Sequence, residues 1–237
     1  MIILPQNKFI KLKKYLLSFF LLSSFFSFAQ FGLIQDQDGF VNVRELENVN
    51  SPILAKIKTG TILFIDPEPN NPNWILVEYQ PESNGYIYHD RIKNIKNFTS
   101  ISPILINDSK IEFSISDYVI QLETQNFNSK KHQIQTENGF VYAIDEKDFL
   151  GSDGMIPQTE FKTFKILFKG KEIIIPKEYY ANLYNVNLTE AKLTYNKELN
   201  QYYLFGTFSD GAASFDAIWV LENGKIVQHL AQLNFYA

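Results

Sequence analysis

The sequence predicts a mainly β protein, with a small N-terminal barrel followed by a mostly antiparallel β domain that contains one short helix. Many short segments alternate apolar and polar residues, as half-buried strands do. Turns rich in Pro, Gly and Asn separate these segments. Hydrophobic residues make up 45% of the chain and aromatic residues 15%, so the composition supports a packed core and not a disordered chain.

Residues 1–29 are predicted to be a secretory signal peptide that is cleaved after Ala29. A lysine-rich segment, KFIKLKK, precedes an uncharged apolar run from Tyr15 to Ala29. Ser27 and Ala29 then form the small-x-small pattern of a cleavage site. A membrane anchor is the alternative, but a spanning helix needs about 20 apolar residues and this run is shorter. The expected location is secreted or periplasmic, with no stable membrane anchor after cleavage.

Charge and cysteine content narrow the function classes. The chain has no cysteine, which excludes disulfides, thiolate zinc sites and a cysteine nucleophile. Cleavage would remove four lysines and no acid, taking the formal net charge from −4 to −8. Nucleic acid is therefore not an expected partner, because like charges repel at the approach.

Residues 30–98 are predicted to form the barrel. Five segments have the alternation or the β-branched content of strands, and a Pro/Asn-rich loop, DPEPNNPNW, separates the third from the fourth. The segments are GFVNVRE, SPILAKIK, TILFID, WILVEYQ and GYIYHDRI. Five short strands joined by polar turns within so few residues are typical of a small barrel.

The order of DGFVNVR, SPILAKIKTGT, NWILVEY and GYIYHDRI resembles that of bacterial SH3 (SH3b) domains. The positions that match the family pattern are Gly39, Phe40, Val41, Asn42, Val43, Arg44, Gly60, Trp74, Val77, Gly85, Tyr86, Ile87, Arg91 and Ile92. After Arg44 the chain has ELENVN where the family often has a Gly-Pro turn, so the first long loop departs from the pattern. The resemblance implies an SH3-like barrel that recognises a cell-wall peptide or a protein partner.

Residues 99–237 are predicted to be a different, β-rich domain without an assignable activity. Gly-containing turns at Asn138-Gly139, Lys169-Gly170 and Asn223-Gly224 indicate hairpins or strand starts. The segment PKEYYANLY is expected to form a short helix, because Pro176 suits the first helical position and Glu178 favours the first turn.

The segment DQDGFVNVRELE poses a choice between a calcium loop and a turn that leads into a strand. A calcium-binding EF-hand loop has its glycine at the sixth position, whereas Gly39 is the fourth residue counted from Asp36. Phe40 also occupies the place of a third ligand. The turn is therefore the favoured interpretation, and no metal or other cofactor is predicted.

The three histidines, His89, His132 and His229, form no HxH, HxxxH or HExxH spacing. They are expected to be isolated surface or turn residues, and no catalytic residue is predicted. A hydrolase is the least favoured class of function. It would require His132 or His229 to lie beside one of three aspartates in the C-terminal loops: Asp153, Asp210 and Asp216.

Two sets of residues are candidates for binding. Exposed aromatic residues on a small barrel commonly form a groove for extended peptides, and Tyr86 and Tyr88 share a strand face opposite Ile87. The predicted ligand-binding residues are Tyr79, Tyr86, Tyr88, Glu45 and Glu47. The Gly/Ser/Asp loops GSDGMIP and FSDGAASFD favour ordinary turns, and the alternative is an exposed acidic rim formed by Asp153, Asp210 and Asp216.

These features favour a non-catalytic, extracytoplasmic binding protein, whose partner is a peptidoglycan peptide or another protein. The alternative is a periplasmic inhibitor or immunity-type protein that blocks a secreted enzyme. Its acidic mature charge and its Asp-containing loops motivate that second class.

Overall fold

The computed structural model describes residues 31–66 and 71–234, so the predicted signal peptide and its cleavage site lie outside the described residues. The described chain is mainly β, with antiparallel sheets and six 3-10 turns of three residues each. No helix in these two ranges is long and apolar enough to cross a membrane.

The first seven strands form one antiparallel sheet, the N-terminal sheet, in the order β3-β2-β6-β5-β4-β1-β7. Their bounds are β1 Phe31–Ile34, β2 Phe40–Arg44, β3 Ile53–Lys58, β4 Ile62–Ile65, β5 Trp74–Gln80, β6 Ser83–Tyr88 and β7 Ile92–Asn94. Strands β2 to β6 confirm the five strands predicted from alternation. Strands β3 and β7 are the two edges, so hydrogen bonding does not close the sheet into a barrel.

The N-terminal sheet curves around one hydrophobic cluster. Five of its strands contribute buried residues to this cluster: Ile34, Val41, Val43, Leu63, Val77 and Ile87. Gly85 lies where β6 crosses β2, and a Cβ there would come within 2.5 Å of the Val43 side chain. The close approach of these two strands therefore depends on glycine.

Two further five-stranded sheets and one hairpin follow. The central sheet has the order β19-β18-β17-β16-β8, the outer sheet has the order β15-β14-β11-β10-β9, and β12 and β13 form a separate hairpin. Their bounds are β8 Thr99–Ile101, β9 Leu105–Asn107, β10 Lys110–Ile115, β11 Tyr118–Asn126, β12 Ile134–Glu137, β13 Phe140–Ile144, β14 Thr159–Phe168, β15 Lys171–Ile173, β16 Lys192–Asn196, β17 Gln201–Phe208, β18 Phe215–Glu222 and β19 Lys225–Leu233. All three expected glycine turns connect paired strands: β12 to β13, β14 to β15, and β18 to β19.

The central sheet is buried on both faces. One face packs against the N-terminal sheet in a shared cluster of Phe31, Leu33, Ile62, Ile95, Tyr203, Phe205, Ile218 and Val220. The other face, which includes Leu204 and Trp219, packs against the outer sheet in the largest cluster of the protein. The Gln228 side chain accepts a hydrogen bond from the Ile62 N–H and donates one to the Ile62 carbonyl, which adds a polar link between the N-terminal and central sheets. The two predicted domains therefore share one hydrophobic cluster.

The helix predicted from Pro176 is present as one 3-10 turn, Lys177–Tyr179. The backbone leaves helical geometry at Tyr180, whose φ is −156°. Leu183 and Tyr184 then form isolated bridges to Leu150 and Glu160. Their backbone groups bond to neighbouring segments, so an α-helix does not continue through them.

Candidate functional site

A groove of about 350 Å³ opens on the exposed face of the N-terminal sheet. Phe40, Trp74 and Tyr88 supply its aromatic walls, and we call it the aromatic groove. The Trp74 and Tyr88 rings meet edge to face with their centroids 5.5 Å apart. Phe40 and Tyr88 are each 38% exposed whereas Trp74 is 7% exposed, so the groove combines a fixed indole with two accessible rings.

Strand alternation explains how these rings reach one surface. Ile87 is fully buried, so its neighbours Tyr86 and Tyr88 face the opposite side of β6, as predicted. Trp74 is paired with Tyr88 across the β5–β6 ladder. Phe40 is the first residue of β2, and the ammonium of Lys56 on β3 lies 4.6 Å from its ring centroid.

Asn42 also lines the aromatic groove. It alternates with the buried Val41 and Val43 on β2, so its side chain points to the groove face. Its Oδ1 is shielded from solvent and accepts no hydrogen bond from any described residue. An unpaired buried carbonyl oxygen is unfavourable, and a donor in the groove could satisfy it only once the side chains that shield it move aside.

The charged rim of the groove is formed by Asp36, Asp38 and Arg91. Asp36 accepts a hydrogen bond from the Asp38 backbone N–H at 2.8 Å and forms an ion pair with the Arg91 guanidinium. The backbone hydrogen bond and then Arg91 lower the pKa of Asp36 below its ordinary value. The DQDG segment is therefore a turn, with the Asp36 carboxylate already paired to a cation of the protein.

The loop after Arg44, which lacks the Gly-Pro turn often found in SH3b domains, has a hydrogen-bond network of its own. The Arg44 guanidinium donates to the Ser51 carbonyl at 2.7 Å, and the Leu46 N–H donates to Ser51 Oγ at 2.9 Å. The Asn48 side chain accepts from the Asn50 N–H at 2.9 Å. Ser51 and Asn48 thus replace the expected Gly-Pro turn and place Val49 at the groove edge.

The five residues predicted to bind a ligand are only partly brought together. Tyr88 lines the aromatic groove, while Tyr86 is half-buried on the same face beside it. Glu45 and Glu47 lie on the loop that carries Val49, but they do not line the groove. Tyr79 lies in a different cleft, of about 520 Å³, between the N-terminal sheet and β19.

The predicted acidic rim is not formed as one surface. Asp153 and Asp210 are exposed on separate loops, and Asp210 lines a small depression beside Asn185. Asp216 is 3% exposed, and its carboxylate accepts hydrogen bonds from Thr207 at 2.5 Å and Asn234 at 3.3 Å. The prediction that Asp216 belongs to an exposed rim was therefore wrong, because Asp216 is in strand β18 of the central sheet and its side chain is buried.

His132 is the centre of a charged cluster that the sequence did not reveal. Its Nδ1 lies 2.7 Å from Asp145 Oδ2, and its Nε2 lies 2.7 Å from Glu160 Oε2. The ring stacks on Phe127 with centroids 4.7 Å apart. The expectation of an isolated histidine was wrong here, since its partners are 13 and 28 residues away in the chain and no local spacing motif connects them.

The other two histidines have different environments. His229 stacks on Trp219 with centroids 5.2 Å apart, and its Nδ1 lies 3.0 Å from the Ile218 carbonyl. Burial lowers the pKa of His229, which favours the neutral ring with its proton on Nδ1. His89 is exposed beside Tyr88. Within the described ranges, no group of three or more histidine and acidic side chains is placed to hold a metal ion.

Comparison with protein-family models, with curated proteins and with solved structures gives no match. The SH3b resemblance therefore rests on the ordered motifs of β2 to β6, and it stays a prediction.

Proposed function

We propose that this is a non-catalytic binding protein that acts outside the cytoplasm and binds an extended peptide in the aromatic groove. The N-terminal sheet would serve as an SH3-like barrel, as its ordered motifs predict. The ligand class is a peptidoglycan peptide or an extended segment of a protein partner. Secretion through the predicted signal peptide would bring the groove to that ligand.

The two accessible rings of Phe40 and Tyr88, beside the fixed indole of Trp74, are the observation that carries this proposal. The unpaired Oδ1 of Asn42 is a second feature of the groove. Leaving a buried acceptor without a donor costs about 1–3 kcal/mol. An extended peptide offers backbone N–H donors at regular intervals, and aromatic walls pack against its side chains. The groove therefore offers accessible rings at its surface and an unsatisfied acceptor that a peptide N–H would reach if the shielding side chains moved.

The environment of His132 supports a non-catalytic role. A general base must accept a proton from a nucleophile or a water through an unoccupied nitrogen. Both nitrogens of His132 are directed at carboxylates, those of Asp145 and Glu160. A hydrolase was expected to need a histidine paired with Asp153, Asp210 or Asp216. His132 pairs instead with Asp145 and Glu160.

The test is binding of the mature protein, residues 30–237, to insoluble peptidoglycan and to soluble muropeptide stem peptides. Tyr88→Ala removes an accessible groove wall, so we expect at least a tenfold loss of affinity. Its loss of stability should be about 1 kcal/mol, because Tyr88 is partly exposed but packs edge to face on Trp74. Isothermal titration calorimetry at low salt measures the affinity, and co-sedimentation measures retention on the wall.

Tyr142→Ala is the matched control, since Tyr142 is an exposed tyrosine on the β12–β13 hairpin. It should bind peptidoglycan as the wild type does. Equal loss in both variants, or wild-type affinity in Tyr88→Ala, would contradict binding in the aromatic groove. Absence of any retention on peptidoglycan would remove the wall peptide and leave the protein partner as ligand.

An inhibitor of a secreted enzyme is the second candidate, and an exposed apolar surface favours it. Phe140, Tyr142, Met155 and Ile156 are 63%, 56%, 65% and 55% exposed, and we call them the hairpin patch. The Phe140 ring lies against Gly154, so the hairpin and the loop that contains Asp153 are adjacent. Clustered exposed apolar side chains often mark protein interaction sites, and a neighbouring carboxylate favours a basic partner.

This candidate is tested by assaying a panel of basic secreted wall hydrolases with and without the mature protein. Inhibition that is lost in the double variant Tyr142→Ser and Met155→Ser would support it. If the double variant still inhibits, the contact lies outside the hairpin patch. If the wild-type protein inhibits no enzyme at micromolar concentration, the result counts against an inhibitor function.

A further inference from the structure

The geometry at His132 requires a specific protonation state. Both ring nitrogens face carboxylate oxygens at 2.7 Å, and a carboxylate can only accept a hydrogen bond. Both nitrogens act as donors in the imidazolium ion, whereas a neutral ring has one donor and one lone pair. Removing one proton would therefore set a lone pair against one of the carboxylates.

The two carboxylates belong to different parts of the fold. Asp145 directly follows β13, and His132 lies two residues before β12, so the His132–Asp145 pair closes the base of the hairpin. Glu160 is on β14 of the outer sheet and is 7% exposed. The imidazolium consequently fastens the base of the hairpin to the outer sheet.

The remaining attachment of the hairpin is small. Its two strands pair with each other and, among the described strands, with no third one. Val141 and Ile144 pack with Tyr184 in a small buried cluster, against which the partly buried Phe127, Ile134 and Phe149 also pack. The Val141 N–H also donates a backbone hydrogen bond to the Gly154 carbonyl at 2.8 Å. The His132 bridge is therefore the ionic part of the attachment, beside this small hydrophobic cluster.

We propose that His132 is a proton-operated latch, which fastens the β12–β13 hairpin to the outer sheet when it is protonated and frees it when it is neutral. The hairpin carries Phe140 and Tyr142, two of the four residues of the hairpin patch. The latch therefore controls whether that surface is held in one position. It does not depend on peptide binding in the aromatic groove.

The charges around the ring favour a protonated state. Burial lowers the pKa of His132, but hydrogen bonds to Asp145 and Glu160 outweigh burial and raise it above its ordinary value of 6.5. Lys130, Lys131 and Glu146 line the depression beside the ring. These three exposed charges are well solvated and of mixed sign, so they oppose one another.

The pKa values of Tyr184, which packs beside the ring, and of Asp145 itself bear on the pH range in which the ion pairs form. Burial raises the pKa of Tyr184 to about 12, so this phenol is neutral wherever His132 titrates. Burial raises the pKa of Asp145, but a hydrogen bond from the Gln133 N–H and then His132 reverse this and lower it below 3.8. Lys147 acts on Asp145 in the same direction.

The pH dependence follows from these two shifts. His132 has a raised pKa in the folded protein, so its stabilisation is complete below about pH 6.5 and is lost as pH rises through the folded value. Asp145 has a lowered pKa, so its part is present above about pH 3.8 and is lost as pH falls through the folded value. The latch is closed between these limits.

Two measurements on the mature protein test the latch. Long-range ¹H–¹⁵N NMR of the histidine rings follows the protonation of both His132 nitrogens. Amide hydrogen exchange at about pH 5.5 and about pH 8.5, corrected for the intrinsic rates, measures protection of residues 134–144 across the titration of a histidine. We expect protection of the hairpin to fall several-fold at the higher pH, while strands β17 and β18 keep theirs.

His132→Gln removes the switch, because an amide donates through one end only and cannot bridge two carboxylates. Its hairpin should be poorly protected at both pH values. His89→Gln changes an exposed histidine and should behave as the wild type does. Should His132→Gln fail to fold, the wild-type NMR titration still decides the question. A single proton on His132 at pH 5.5, or equal hairpin protection at both pH values, would overturn the proposal.

Discussion

The aromatic groove and the His132 latch both combine aromatic rings with polar and charged side chains. They differ in whether their polar atoms have hydrogen-bond partners within the protein. In the latch, the second oxygen of Asp145 accepts from the Gln133 N–H at 2.9 Å, and that of Glu160 accepts from Gln125 at 2.7 Å. In the groove, Asn42 Oδ1 accepts a hydrogen bond from none of the described residues. The polar atoms of the latch are satisfied within the protein, whereas Asn42 keeps an unused acceptor.

The two regions also differ in what lies behind them. The groove rests on the N-terminal sheet, which buries one face and leaves the other for Phe40 and Tyr88. The latch joins a marginal hairpin to a buried β14 carboxylate, that of Glu160. Loss of a groove side chain should therefore reduce binding, and loss of a latch side chain should reduce stability.

The substitution with the largest expected effect tests whether the aromatic groove and the latch unfold together in one cooperative transition. Phe205 is 1% exposed in the cluster shared by the N-terminal and central sheets. Phe205→Ala should lower the free energy of unfolding by about 4 kcal/mol, from lost transfer free energy and the cavity left behind. Urea denaturation followed by circular dichroism and by Trp fluorescence should give coincident transitions.

Phe140→Ala is the matched control, since Phe140 is 63% exposed. It should change the free energy of unfolding by less than about 0.5 kcal/mol. Two separate transitions, with the N-terminal sheet unfolding on its own, would show that the two regions sit on independent bodies.

A smaller effect is expected when the latch loses its buried carboxylate. Glu160→Ala leaves the His132 imidazolium with one partner and removes the acceptor of Gln125. Breaking a buried pair from one side typically costs about 3–5 kcal/mol, and the lower end, about 3 kcal/mol, applies because His132 is partly exposed. Urea denaturation at about pH 6 measures it, where a histidine that has carboxylate partners is protonated.

Glu172→Ala serves as the control on the same sheet. Its carboxylate pairs with Lys165 at 2.6 Å but is 60% exposed, so its loss should cost less than about 1 kcal/mol. Equal costs for the two glutamates would mean that the His132 bridge contributes no more than a surface ion pair.

Alternation along the chain was enough to predict much of the groove. It predicted strands β2 to β6. The burial of Ile87 then implied that Tyr88 faces outward. The short, wholly apolar β1 carries no alternation because all four of its residues are buried. Strands β10 and β11 do alternate, with Ile111 and Phe113 buried on the first, and this signal was available to find them.

The latch could not be predicted in the same way. His132, Asp145 and Glu160 come from three segments, and their meeting depends on how the hairpin packs on β14. Asp216 is a residue for which the local sequence pattern gave the wrong prediction. It lies in a loop-like sequence, FSDGAASFD, but the structure begins β18 at Phe215 and buries the carboxylate, which accepts hydrogen bonds from Thr207 on β17 and from Asn234 just after β19.

The smallest expected effect has the opposite sign and bears on the open acceptor of the groove. Asn42→Leu replaces an unpaired carbonyl with an apolar group of similar size. Because no hydrogen bond is lost, we expect the free energy of unfolding to rise by about 1 kcal/mol. Affinity for the peptide ligand should fall at the same time, since the donor of the ligand loses its acceptor.

Asn196→Leu is a demanding control, because Asn196 is also a buried asparagine on a strand. Its Oδ1, however, accepts from the backbone N–H groups of Glu198 at 2.9 Å and Leu199 at 3.3 Å. Losing these bonds should lower the free energy of unfolding by about 1–2 kcal/mol. If Asn42→Leu destabilises the protein as Asn196→Leu does, then Asn42 is a structural residue and the groove lacks the open acceptor that distinguishes it from the latch.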